Sequence, residues 1–382
     1  MRIVVAPDGF KGSLTSAAAA AAMVAGWRRV FPEAAVTAVP VADGGEGTVA
    51  ASVTALGGEV VSAEVQDPLG RPVTASYAWV AARRLAVIEM AAASGLPLLR
   101  DDERDPARAS SYGTGQLILA ALDRGAEQLV VGLGGSATVD GGSGCLEALG
   151  ARFYTSSTQA VRATGGALAF VETIDLSGLD GRLAQTALTL ASDVDNPLLG
   201  ATGAVGVFGP QKGVVVDALE TFDAGMAHFA DVLERATGRR RRDAPGAGAA
   251  GGLGFALMAA FDAEYKSGFA LVAELAGLEA AIAQADLVIT GEGRLDAQSP
   301  RGKVVGGLAR LAARHGTPVA VLAGAVALDP AELADLGIQV ALPIVEGPTS
   351  TSDAMAAGAT LVERAAWRLA AALALGQRLA IA

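Results

Sequence analysis

The chain alternates short apolar runs with longer segments whose apolar residues recur at helical spacing, so strands and helices take turns along it. Arg2–Ala6 is a strand-forming run, Thr15–Phe31 an alanine-rich helical stretch halted by Pro32, and Ala35–Val41 a second strand ending at Asp43. This βαβ opening is followed by Gly44, Gly45 and Gly47 and then a helix over Thr48–Leu56. Between Glu59 and Met90 the texture changes. EVVSAEV and VTASYAWV flank the turn DPLGRP (Asp67–Pro72), which predicts an antiparallel hairpin rather than another crossover. A helix over Gly115–Arg124 and strands at Gln128–Val131 and Leu188–Ala191 come next. Towards the end, strands at Asp286–Thr290, Pro318–Ala323 and Gln339–Val345 alternate with helices at Lys303–Arg314, Pro330–Leu336 and Ser352–Leu375. Continuous apolar strands separated by helices predict a parallel sheet buried on both faces.

At 382 residues the chain exceeds what one core usually supports, and two domains are expected. Residues 1–58 and 283–382 carry the parallel α/β texture and are read as one domain, interrupted by a mixed α/β domain over 59–282. A net charge of −11, from 29 basic and 40 acidic residues, argues against nucleic acid or an anionic membrane as partner. The run Arg239–Arg242 then reads as a solvated loop. A mean hydropathy of +0.42 raises the question of a membrane span. The longest uncharged stretch, Ala244–Phe261, answers it: Pro245 and the glycines at 246, 248, 251, 252 and 254 predict a loop leading into a buried helix. At the N-terminus the run Ile3–Ala6 meets Asp8 and Lys11 at once, too short for a signal peptide, and the expected address is the cytoplasm.

One cysteine, Cys145, excludes an internal disulfide, and two histidines, His228 and His315, leave little room for zinc chemistry or a hydrolase triad. Chemistry then rests on carboxylates, lysines, arginines, hydroxyls and backbone. Phosphoryl transfer, which is mostly positioning plus electrostatics, can run on that set.

Several polar strings follow strand candidates. In ADLVITGEGRLDAQSPRGK (285–303) an apolar run ends in Gly291 and Gly293, which predict a sharp turn, with Glu292 and Asp296 presented beside a helix opened by Lys303. Such a set suits a nucleotide or Mg²⁺ site, and a capped, solvated turn is the plain alternative. APDGFKGSL puts Asp8, Lys11 and Ser13 just past the first strand, at the edge where α/β sheets bind ligands, or forms a solvated loop with Ser13 or Thr15 capping the helix. ADGGEGT places Asp43 and Glu46 among glycines, either for a ligand or as an acidic helix start. GLGGSATVDGGSG (132–144) is the most specific string. Its glycines around Gly134, Gly135, Ser136, Thr138 and Asp140 predict a nest of N–H groups facing an anion, with a structural loop needing several positive φ angles as the alternative. SDVDNPL carries Asp193 and Asn196, and GPQKG carries Lys212 between glycines; each could also be a simple turn. DPARASSYGTG adds Arg108, Ser110, Ser111 and Thr114 ahead of a helix, either to dock an anion or as a cap.

Taken together, APDGFKGSL, VPVADGGEGT, IEMAAASGL, GTGQLILAAL, GLGGSATVDGG, SDVDNPLLG, VFGPQKG, PGAGAAGGLG, KSG and ITGEGRLDAQSPRGK, in this order, resemble the bacterial glycerate kinase family of the first type over nearly the whole length. Two departures are visible: Ser192 stands where a cysteine is frequent, and 151–166 lacks an Asn/Gly-rich turn. The resemblance implies two α/β domains, one Rossmann- or flavodoxin-like and one inserted, with the active site in the cleft between them. It also implies ATP- and Mg²⁺-dependent phosphorylation of D-glycerate, usually to 2-phosphoglycerate. The oligomeric state stays open, a homodimer included. On this reading Lys11 and Lys212 supply positive charge, Asp193 or Asp296 acts as base or metal ligand, the glycines of 132–144 cradle phosphates, and Arg71 or Arg108 grips the glycerate carboxylate. A binding protein without catalysis and a kinase for a related hydroxy acid are the rival readings.

Overall fold

In a computed structural model, residues 1–42, 44–45, 47–156, 159–297, 299 and 304–380 are described. Thirteen strands appear among them: β1 (Arg2–Val5), β2 (Ala35–Ala38), β3 (Glu59–Gln66), β4 (Pro72–Val80), β5 (Leu85–Glu89), β6 (Gln128–Gly132), β7 (Arg152–Tyr154), β8 (Thr173–Asp175), β9 (Ala187–Ala191), β10 (Glu264–Lys266), β11 (Leu287–Leu295), β12 (Val319–Val326) and β13 (Val340–Pro343). The chain forms two compact units, one of residues 1–43, 50–56 and 269–382, the other of 44–49 and 57–268. These bounds differ from the 58/59 and 282/283 divisions read from texture. The physical reason is burial: Phe269, Val272, Leu278 and Ile282 belong to the same core as Val304 and Leu308, so their helices fold with the first unit.

The first unit is a five-stranded sheet in the order β13-β12-β11-β1-β2, with parallel pairing throughout. Val4, Val288 and Val319 lie in register across its centre. On one face, Ala19, Met23 and Trp27 of the helix Ser16–Arg28 pack with Val362, Ala366 and Leu369 of the helix Gly358–Ala380. Gly26 is required at that crossing, since a Cβ there would run into the Glu363 backbone carbonyl. The helices Gly268–Leu275, Leu278–Ala283 and Val304–Arg314 cover the opposite face. Buried on both sides, the central strands need no polar alternation, and that is why they read as continuous apolar runs.

Two expectations for this unit are corrected. β11 does not turn at Gly291 and Gly293 but runs straight on to Leu295, and neither glycine takes a positive φ. A Cβ on Gly291 would meet the Leu322 carbonyl of neighbouring β12 and lie 2.8 Å from Met23 Cε, so the missing side chain serves packing, not turning. The long helix expected over 352–375 is instead two helices, Thr351–Ala356 and Gly358–Ala380. Ser13 Oγ–H donates to Met355 O at 2.6 Å at the end of the shorter one, and its Oγ fills the space a Cβ on Gly358 would need.

The second unit holds a six-stranded mixed sheet, β10-β9-β6-β5-β4-β3, and the small antiparallel pair β7-β8. The expected hairpin is β3-β4, antiparallel from Glu59↔Trp79 to Gln66↔Pro72. Asp67 holds its turn by accepting the amides of Leu69 (2.9 Å) and Arg71 (2.8 Å). β5, β6, β9 and β10 run parallel, and Ile88, Leu117, Val131, Leu190, Phe229 and Phe255 meet in the core beside them. Ala249–Gly252 leads into the buried helix Leu253–Phe261, as read from composition. Within it Ala250 (φ 54), Gly251 (φ 66) and Gly252 (φ 94) are all left-handed.

Candidate active site

Because β5, β6, β9 and β10 are parallel, their carboxyl ends share one edge of the second unit's sheet. Glu89, Gly132, Ala191 and Lys266 stand side by side in register there. Parallel sheets bind ligands at that edge, since the loops leaving it point away from the hydrogen-bonded ladder with free backbone and side chains. After β9 comes Asp193, whose Oδ1 accepts the Ser267 hydroxyl from the loop after β10 at 2.5 Å. Tyr265 secures the same loop: its hydroxyl is shared between the carbonyls of Ser192 (2.8 Å) and Val194 (2.6 Å), and burial pushes its pKa up to about 12. Glu89 Oε1 accepts the Val49 amide at 2.7 Å. Asn196 faces its own loop, donating from Nδ2 to Thr202 O at 2.7 Å.

After β6 the string 132–144 divides in two. Its second half is a nest, but the anion in it is internal. Asp140, fully buried, accepts the Ser111 amide (2.7 Å) and hydroxyl (2.8 Å) and the amides of Gly142 (3.1 Å) and Gly144 (3.2 Å). Burial pushes the Asp140 carboxyl up, and those same donors oppose the shift. Gly141 (φ 62) and Gly142 (φ 76) supply the left-handed backbone that aims the amides inward. An external anion is therefore not what this half binds. Its first half is the open part: Gly134 is half-buried and Gly135, at φ 75, is exposed. Ser136 follows, nearly buried.

Lys212, read from sequence as a source of charge, is 2 % exposed. Its ammonium donates to Ser136 Oγ at 2.6 Å and to the Thr138 carbonyl at 2.8 Å. Burial pulls its pKa down to about 7, with Asp140 pulling the other way. The two arginines also part company. Arg71 Nε meets Asp67 at 2.5 Å and its Nη1 meets Glu103 at 2.7 Å, so its charge is spent on the hairpin turn. Arg108 is exposed and forms no ion pair among the described residues.

In the first unit a cavity of about 620 Å³ opens at the carboxyl edge, lined by Asp8, Lys11, Ser13, Glu292, Gly293 and Asp296 among others. Asp8 Oδ1 accepts the Gly9 amide at 2.7 Å. Glu292, nearly buried, accepts the Ser299 hydroxyl at 2.5 Å, while Asp296 lies 3.2 Å from Arg294 Nε. Lys11 is exposed and has no ion pair among the described residues. Asp43, Glu46 and Lys303 lie outside the described residues.

Sequence reading thus named Asp193, Ser111, Ser136 and the cavity residues, but missed Glu89 and Ser267 as partners. A charged residue closing an apolar strand, as in Ile88–Glu89–Met90, was the available signal for Glu89. The string KSG contains Ser267, but its role depends on β10 pairing beside β9.

The sequence model of the glycerate kinase family matches residues 3–374. The chain is 46 % identical over 377 residues to a Bacillus subtilis protein named glycerate kinase, covering 99 % of each. It is 43 % identical over 378 residues to an Escherichia coli protein named glycerate 2-kinase, again 99 % of each. A crystal structure of a candidate glycerate kinase 2 from Salmonella typhimurium LT2 superposes with a TM-score of 0.88 at 42 % identity, covering 99 % of both chains. With the parallel and mixed sheets in place and the match running end to end, the chain belongs to the glycerate kinase family and is an enzyme of the kinase class.

Proposed function

We propose that the enzyme transfers the γ-phosphoryl group of ATP to the 2-hydroxyl of D-glycerate, giving 2-phosphoglycerate and ADP, in the cytoplasm. The observation that carries this reading is the row Glu89, Gly132, Ala191, Lys266 with the Asp193–Ser267 pair just beyond it. The 2-kinase name of the Escherichia coli relative supports the position of transfer. Among the described residues no helix is long and apolar enough to cross a membrane.

In this proposal Asp193 is the base. Its carboxylate takes the hydroxyl proton as the substrate oxygen bonds to phosphorus and the bond from phosphorus to the ADP oxygen breaks. Ser267 orients that carboxylate by donating to Oδ1. Gly135 offers its amide to an anion, and Arg108, unlike Arg71, has a guanidinium to spare for the glycerate carboxylate. Lys11 supplies positive charge.

The first unit's cavity fits a nucleotide: about 620 Å³ is far more than a three-carbon acid fills and within the usual range of ligand sites. Asp8, Glu292 and Asp296 in its lining are hard oxygen donors of the kind Mg²⁺ takes. Among the described residues no three acidic, histidine or cysteine side chains form a cage, which suits an ion that keeps most of its ligands from water and phosphate. Asp296, with Asp8, would hold it, and the ion would neutralise charge on the transferring phosphates.

Coupled ADP release with D-glycerate as acceptor tests the activity, and a ³¹P spectrum of the product tests the position. No ADP release above the rate without glycerate, or a phosphomonoester on carbon 3, would remove the respective claim.

A further inference from the structure

We infer that Lys212 is a positioning residue that acts through Ser136, holding that hydroxyl as a hydrogen-bond donor for an anionic oxygen of a substrate. This deepens the functional reading above and rests on it. In its ammonium form Lys212 has only donors, so at 2.6 Å Ser136 Oγ accepts from it. The hydroxyl hydrogen is then directed elsewhere. Among the described residues Ser136 O–H has no acceptor, although the residue is only 6 % exposed, and buried hydroxyls rarely leave a donor unused. Two residues on, Thr138 Oγ1 is also buried without a hydrogen-bond partner.

The second grip of Lys212, on the Thr138 carbonyl at 2.8 Å, ties the chain on the far side of Ser136. The turn itself is fixed by backbone bonds on either side of Ser136, from Leu96 N to Gly135 O (2.9 Å) and from Ala137 N to Ser94 O (2.9 Å). Ser136 is thus locked between a rigid frame and a buried cation, right after exposed Gly135. A residue that merely filled core space would not need an ammonium there. A residue that touched substrate would not be 2 % exposed. Hydroxyl donation suits either a phosphate oxygen of the nucleotide or the carboxylate of glycerate, and the two sources separate in the kinetics.

Ser136→Ala, a mild change expected to fold, should raise the KM of one substrate roughly 10- to 100-fold, the loss of one hydrogen bond to a charged group. A rise for ATP assigns the hydroxyl to phosphate, a rise for D-glycerate to the carboxylate, and Ser136→Thr should recover most of the loss in either case. Lys212→Met should reproduce the same KM pattern. In the double variant the loss should stay within about twofold of the larger single one. Unchanged KM for both substrates in Ser136→Ala overturns the inference, as do multiplicative losses in the double variant, which would mean that Lys212 acts by another route. Should the wild-type enzyme release no ADP from D-glycerate, the functional reading falls by itself. Inorganic phosphate is then titrated by calorimetry, with weaker binding in Ser136→Ala supporting the inference and equal binding overturning it.

Discussion

The two units each carry a glycine-rich polar string at the carboxyl edge of a parallel set of strands, and the glycines do opposite work. In the first unit Gly291, Gly293 and Gly324 stay in β-conformation within β11 and β12, where a Cβ on Gly291 or Gly324 would strike the neighbouring strand. In the second, Gly135, Gly141 and Gly142 take positive φ, and the amides of the last turn are spent on Asp140. One string keeps two strands close and leaves its carboxylates on an open cavity; the other builds a rigid internal anchor and exposes only Gly134 and Gly135. Glycine density therefore marks a demanding backbone without saying whether the demand is a ligand, a neighbour or a buried side chain.

The sharpest way to break this contrast is at the carboxylates. Asp193→Asn should lower kcat by about 10²- to 10⁴-fold with the fold intact, as expected for loss of a general base. Asp296→Asn should instead raise the Mg²⁺ requirement, read as a rightward shift of activity against metal concentration. Near-normal turnover in Asp193→Asn would move the base elsewhere. Next in size, Asp140→Ala should cost on the order of 3–5 kcal/mol in denaturant unfolding, because four donors lose a buried acceptor together. A cost under 1 kcal/mol would mean the nest is not organised around that carboxylate.

The glycines test the comparison directly. Gly291→Ala should cost about 2–3 kcal/mol through collision with the Leu322 carbonyl, whereas Gly135→Ala should cost about 1–2 kcal/mol through its left-handed backbone. Substituting asparagine at 135 should recover part of the loss and at 291 none, since asparagine tolerates positive φ but not a filled space. The smallest effect concerns pH. Lys212 sits at about 7 when folded against 10.5 unperturbed, so between those values the unfolded chain binds a proton that the folded one does not. Stability from this group rises with pH through that window, and Lys212→Met should flatten the rise when melting temperatures of the two proteins are compared across it.

Much of the fold was legible because burial writes itself into spacing. The β3-β4 hairpin followed from alternation around DPLGRP, and the buried strands β1, β11 and β12 from unbroken apolar runs. The helix over 253–261 followed from the point where glycines give way to Leu253 and Phe255. What failed was local reading of glycine and length: the turn expected at Gly291 is a continuing strand, and the helix expected from Ser352 breaks before Gly358. Both outcomes depend on a neighbour distant in sequence, Leu322 in one case and Ser13 in the other.

The sequence by itself determined the alternation of strands and helices, the family, and the residue types available for chemistry, because hydrophobic period and residue identity are properties of a single stretch of chain. Only the tertiary structure decided which of those residues are spent. It paired Arg71 with Asp67 and Glu103 and left Arg108 unpaired among the described residues, sank Lys212 against Ser136, and turned the Gly142 and Gly144 amides onto Asp140. Whether a polar group is free or already satisfied is a fact about its neighbours in space, and spacing along the chain does not encode it.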